Sequence, residues 1–171
     1  ITCLYRPLKI AEAEDLVRNA RNRLGGNYVP ANARGIRLIY KALEQGSVVA
    51  MLPDQEPQAG TGVFAPFFGI PAYSMVFLSR LSIRTGAPII FAWCERLSWG
   101  RGYHLHFRAF AGVNEASDIE SNVAAVNRAV EQCVRECPQQ YQWSYRRFKS
   151  RPEGEASFYK RPRTATGRTR H

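Results

Sequence analysis

Apolar residues recur at helical spacing in two stretches near the start of the chain. Residues 11–24 carry Ala13, Leu16, Val17, Ala20 and Leu24 on one stripe, ended by Gly25-Gly26. Residues 33–45 repeat the pattern through Ile36, Ile39, Tyr40 and Leu43, and Gly46 supplies the stop. Residues 47–52 then form a short apolar run that reads as a buried strand. The run halts at Pro53 and delivers Asp54 and Gln55 at its carboxyl end, where open α/β sheets place their ligands. Residues 54–72 read as an aromatic-rich loop holding Phe64, Phe67 and Phe68. A packed hydrophobic loop after a strand exit explains these residues as well as a binding site does, because position in a fold is a weak warrant for function.

The second half continues the alternation. Residues 73–85 predict a third helix closed by Gly86, and residues 89–94 a second buried strand. Residues 98–102 form a turn. Residues 103–110 alternate strictly, with Tyr103, Leu105, Phe107 and Ala109 on one face and His104, His106 and Arg108 on the other. That pattern predicts a half-buried strand near a sheet edge. Ser117 and Glu120 match a capping box for a last helix, whose stripe is Val123, Val126, Val130, Cys133, Val134 and Cys137 before Pro138 stops it. The order implies an α/β fold, with helices covering a mixed sheet.

The 171 residues suit one domain with a real core. Residues 1–159 are expected to form it, and residues 160–171, almost without apolar side chains, a disordered basic tail. No apolar run is long enough to span a membrane, and residues 1–10 lack the core of a signal peptide. The first residue is Ile, which suggests a processed form or a fragment. Cys3, Cys94, Cys133 and Cys137 are scattered, and a reducing, cytosol-facing setting is expected. The net charge is +10; from Tyr141 onward nine Lys/Arg stand against two Glu, so that segment carries +7 and implies acidic partners.

Candidate chemistry is sparse. Cys133 and Cys137 lie on the apolar face of a helix with no second ligand pair at matching spacing, so core packing is expected and no metal. His104 and His106 share a strand face and suit a chelate or a base, but a solvated face explains them too. No Walker loop, G-x-S-x-G or H-E-x-x-H is present, and no cofactor is expected. Gly25-Gly26 follows a helix instead of a strand, which makes it a poor phosphate loop. The arginines say more. Arg6, Arg21 and Arg23 cluster early, and the segment Gln140-Tyr141-Gln142-Trp143-Ser144-Tyr145-Arg146-Arg147-Phe148-Lys149 interleaves aromatics with bases. Such a segment suits nucleic acid, phosphorylated sugars or anionic lipid.

In order and spacing these pieces resemble the late acyltransferases of lipid A biosynthesis, the lauroyl/myristoyl transferase family. The matching pieces are Tyr5-Arg6-Pro7, Arg21-Asn22-Arg23-Leu24-Gly25-Gly26, Pro53-Asp54-Gln55, Gly62-Val63-Phe64 through Phe67-Phe68-Gly69, Thr85-Gly86-Ala87-Pro88, Glu95-Arg96 and the tyrosine–tryptophan–arginine segment running to Gly154. The resemblance implies the α/β fold of the glycerol-phosphate acyltransferases. It implies transfer of a fatty acyl chain from acyl carrier protein to a hydroxyl of a lipid A precursor, at the anionic cytoplasmic face of the inner membrane, with no nucleic-acid partner; a basic nucleic-acid-binding module is the alternative. It assigns Arg23 and Asp54 to catalysis. It assigns Arg6, Arg21, Gln55, Phe64, Phe67, Phe68, Arg146 and Arg147 to substrate binding, with Arg6, Arg146 and Arg147 gripping phosphate or the acidic carrier, and the residue 64–68 aromatics lining an acyl groove. The family's base is a His in a His–x4–acidic motif that falls upstream of Tyr5-Arg6-Pro7, where this sequence holds four residues. The chain therefore resembles a carboxyl-terminal portion, expected to be inactive alone.

Overall fold

A computed structural model describes residues 1–5, 20, 23 and 25–159. Most of the helix expected over residues 11–24, together with Arg6, Arg21 and the tail at 160–171, lies outside the described residues. Within them the chain is a mixed α/β structure with three helices and three small sheets. The first sheet is parallel, with β1 (Thr2–Tyr5) between β2 (Asn27–Pro30) and β3 (Val49–Ala50). Helix α1 (Ala33–Glu44) packs across it. Asn32 caps this helix, its side-chain oxygen accepting from the N–H groups of Arg34 and Gly35. Gly35 comes so close to the Pro30 carbonyl that a Cβ there would sit 1.7 Å from its oxygen, so this contact of helix and strand admits only glycine.

The strand expected over residues 47–52 is cut to Val49–Ala50, paired to β1 alone. Val48 and Leu52 on either side stand exposed. A parallel edge strand has one neighbour, so its flanks leave the ladder early and their side chains face open space.

Residues 54–72 do not form one loop. Gly62–Phe67 (β4) and Ile70–Met75 (β5) make an antiparallel hairpin, and Phe77–Thr85 (α2) begins only after it. The expected helix over residues 73–85 therefore loses its first turn to a strand. Phe68 and Gly69 form the two-residue turn with φ of 50° and 77°, the geometry of a primed hairpin turn. Phe68 lacks the side chain such a turn usually carries, and the pattern misses it for that reason. The Phe68 N–H donates to Glu131 Oε1 at 2.7 Å and Arg135 lies 5.0 Å over the Phe68 ring, so helix α3 (Ile119–Glu136) holds the turn in place.

The last sheet pairs β6 (Ile89–Arg96) with β7 (Tyr103–Phe110). Its orientation runs against the simplest reading of the alternation. Leu105 and Phe107 are 53% and 66% exposed, while His106 and Arg108 turn toward the body. Trp93 stacks on His106, and Arg108 pairs with Glu136 of α3. The core face is set by Phe91 and Phe110, which reach the main core. Helix α3 (Ile119–Glu136) supplies that core with Val126, Ala129, Val130, Cys133 and Val134 against Phe67, Ala72 and Phe91. The expected stripe, including both cysteines as packing groups, is buried. Its cap is one residue later than the capping box: Asp118 accepts from the Ser121 N–H at 2.6 Å. The Asp118 carboxyl is held below its usual range, first by that backbone bond and then by the Ser121 hydroxyl.

Candidate active site

The strand exit at residues 53–55 opens onto a cavity of about 800 Å³. Its floor is the buried stripe of α3, with Val130, Cys133 and Val134, and its far walls are Leu78, Leu81, Phe91 and Trp93. The exposed residues Val48, Leu52, Ile90 and Phe107 rim it. Thus Val48 and Leu52 beside β3, Ile90 on β6 and Phe107 on β7, which look misplaced, line one hollow. Asp54 is the one charged side chain on its wall among the described residues.

Opposite Asp54 stands Tyr141. Its phenol is pushed up to about 12, first by burial and then by the Asp54 carboxylate; Arg147 pulls the other way. A neutral phenol therefore faces the carboxylate at every physiological pH. Tyr141 also borders a second, smaller hollow of about 230 Å³ lined by Phe67, Phe68, Trp143, Arg147 and Phe148, so it forms the partition between the two.

The segment behind Tyr141 is tied to the loop that carries Asp54. The Glu56 N–H donates to the Tyr145 hydroxyl at 2.8 Å. The Glu56 carboxylate, almost wholly buried, accepts from Ser150 Oγ at 2.6 Å and lies 3.8 Å from Lys149 Nζ. A buried carboxylate with these partners locks both segments in one register.

Arg147 departs from its expected role. It is 4% exposed, and its guanidinium donates to the Tyr73 carbonyl at 2.7 Å and to Ser74 Oγ at 2.6 Å, over the face of Phe67. Burial lowers its pKa, the neighbouring tyrosines, Asp54 and Glu56 opposing. A side chain with its fork spent on buried oxygens does not grip an external phosphate, so Arg147 is a structural arginine. Arg146 next to it is exposed and lies over Tyr159. Ser74 receives a second donor, Asn127 Nδ2 at 3.0 Å, which also donates to the Pro66 carbonyl.

The aromatics of the hairpin are likewise reassigned. Phe67 is fully buried in the core, Phe68 borders the small hollow, and Phe64 packs on Tyr73 outside both. None of the three lines the large cavity. Gln55 is exposed beside Asp54, and Arg23 is exposed in a turn before β2. Tyr141 and Glu56 are the site residues that spacing missed. In the sequence Tyr141 reads only as one aromatic of the aromatic–basic segment, and nothing local marks Glu56 as buried.

The model of the bacterial lipid A biosynthesis acyltransferase family matches residues 1–150. The chain belongs to this family. It is 33% identical to the Escherichia coli lipid A biosynthesis lauroyltransferase over 80% of its own length and 45% of that protein's. The same identity relates it to the Escherichia coli lipid A biosynthesis palmitoleoyltransferase over 81% of the chain and 45% of the relative. A Haemophilus influenzae lipid A biosynthesis acyltransferase is 25% identical over 91% of the chain and 48% of its own length. The chain thus spans about half the length of the curated relatives it matches. In this family member an apolar hollow carries one carboxylate on its wall among the described residues, with Tyr141 against it. Among the described residues no helix is long and apolar enough to cross a membrane.

Proposed function

We propose that this chain forms the acyl-holding side of an acyltransferase that moves a fatty acyl group from acyl carrier protein to a hydroxyl of a lipid A precursor. The observation that carries the reading is the apolar hollow of about 800 Å³ with Asp54 on its wall. Its size falls within the usual range for small-molecule sites, roughly 300–1,000 Å³. Each methylene buried there contributes about 0.8 kcal/mol, so a long acyl chain is held without polar contacts. Asp54, paired to Tyr141, orients polar groups at the reacting end, and Arg23 neutralises phosphate on the precursor. The domain is read as residues 1–159 in the glycerol-phosphate acyltransferase fold, acting at the anionic cytoplasmic face of the inner membrane. The nucleic-acid alternative needs a flat basic face; here the exposed β6–β7 face is mainly apolar, with Ile90, Leu105 and Phe107.

The test uses the gene product in full, with acyl carrier protein thioesters of graded length. Ala92 is exposed and lines the hollow, so Ala92→Trp fills it without disturbing the core. Preference should move toward shorter acyl chains. An unchanged length profile overturns the assignment of the cavity.

A further inference from the structure

Three ligand-type side chains converge outside the acyl cavity. His104 and His106 stand two apart on β7, on one face of the strand, and Glu95 lies directly across from His104 on β6. His106 Nε2 is 3.2 Å from Glu95 Oε2, and the imidazole rings of His104 and His106 are 4.2 Å apart. The ligand atoms of all three lie within 4.8 Å of one another. We propose that Glu95, His104 and His106 form a zinc-binding site that clamps β6 to β7 beside their connecting turn.

The geometry suits the ion. Zinc bonds of about 2.0–2.1 Å to nitrogen and oxygen put tetrahedral ligands roughly 3.4 Å apart. His106 and Glu95 already stand at that separation. His104 is exposed, and a change of its rotamer closes the remaining gap. His106 is fixed in direction by Trp93, whose ring stacks on it at 4.8 Å and 4°. Arg108, the next residue on this face, is paired to Glu136 and does not set a free cation beside the site. Two imidazoles and one carboxylate are a donor set for zinc or another late first-row divalent ion, with the fourth position left to water. The competing account is a plain Glu95–His106 hydrogen bond, in which His104 has no part.

The two accounts separate on His104. Metal-stripped protein without a histidine tag is titrated with zinc by calorimetry, and with cobalt by visible absorption. One ion per chain should bind at micromolar zinc. His104→Ala and His106→Ala should each weaken binding by about tenfold or more, as loss of a ligand or its support does. Zinc should also raise the melting midpoint of the parent protein and not of these variants. Cys94→Ser and His171→Ala should bind as the parent does. His104→Ala changes an exposed side chain, so it folds and remains a fair test. Parental affinity in His104→Ala, loss of binding in Cys94→Ser, or no binding by the parent at micromolar zinc overturns the proposal.

Discussion

The phenol of Tyr141 stands against the carboxylate of Asp54, joining the strand exit to the wall that divides the two hollows. Neither residue has this partner by sequence neighbourhood. The contact exists because Glu56 and Tyr145 hold the two segments side by side.

This pair makes stability depend on alkaline pH. The folded phenol titrates near 12 against about 10 in an unfolded chain. A raised pKa means that the native state holds its proton longer than the unfolded state does. The contribution is fully present below pH 10 and is lost as pH rises through 12. Melting curves should fall more steeply across that window in the parent than in Tyr141→Phe. In Asp54→Asn the tyrosine absorbance change should shift to lower pH. Identical alkaline profiles for parent and Tyr141→Phe would sink the assignment.

Neighbouring arginines should behave differently. Arg147→Ala removes two hydrogen bonds from a charged donor to buried oxygens and should cost about 2–4 kcal/mol. For a chain of this size that lowers Tm by roughly 5–15 °C. Arg146→Ala, at an exposed position, should stay within about 0.5 kcal/mol of the parent. Thermal melts of both variants decide it, and equal losses would contradict the buried placement of Arg147.

Ser74 is shared by two donors, so their losses should not add. Asn127→Ala leaves the Pro66 carbonyl short of a partner and should cost about 1–3 kcal/mol. Combined with Arg147→Ala, a coupling of about 0.5–3 kcal/mol is expected through the Ser74 hydroxyl. A double-mutant cycle in urea measures it, and strict additivity would argue against a common network.

Association with anionic vesicles should be electrostatic. Trp143, Arg146 and Lys149 are each exposed, and basic residues near an anionic surface contribute about 1 kcal/mol each. Sedimentation with vesicles containing phosphatidylglycerol should show binding that declines steeply with salt, and Arg146→Glu should weaken it. Binding that is indifferent to salt, or equal on neutral lipid, would count against this surface.

Local pattern was enough for helices whose stripe and stop both lie in neighbouring residues. Val123 to Cys137 is buried as its spacing requires; in the earlier stripe Ile39 is buried with Tyr40 and Leu43 packed against it, while Ile36 is exposed. The family was legible too, because its short motifs keep their order along the chain. Asp54 was legible as a site candidate from the strand exit alone. Tertiary structure decided what depends on distant partners. The Phe68-Gly69 turn carries no turn-type side chain and is held by Glu131, sixty-three positions away. Arg146 and Arg147 are alike in sequence, and only the oxygens of Tyr73 and Ser74 make one of them structural. Alternation on β7 gave two faces but not which one turns inward. Phe110 and Phe91 decided that by meeting the core, leaving Phe107 at the rim of the cavity. Periodicity reports which side chains share a face; burial is settled by what arrives on the other side.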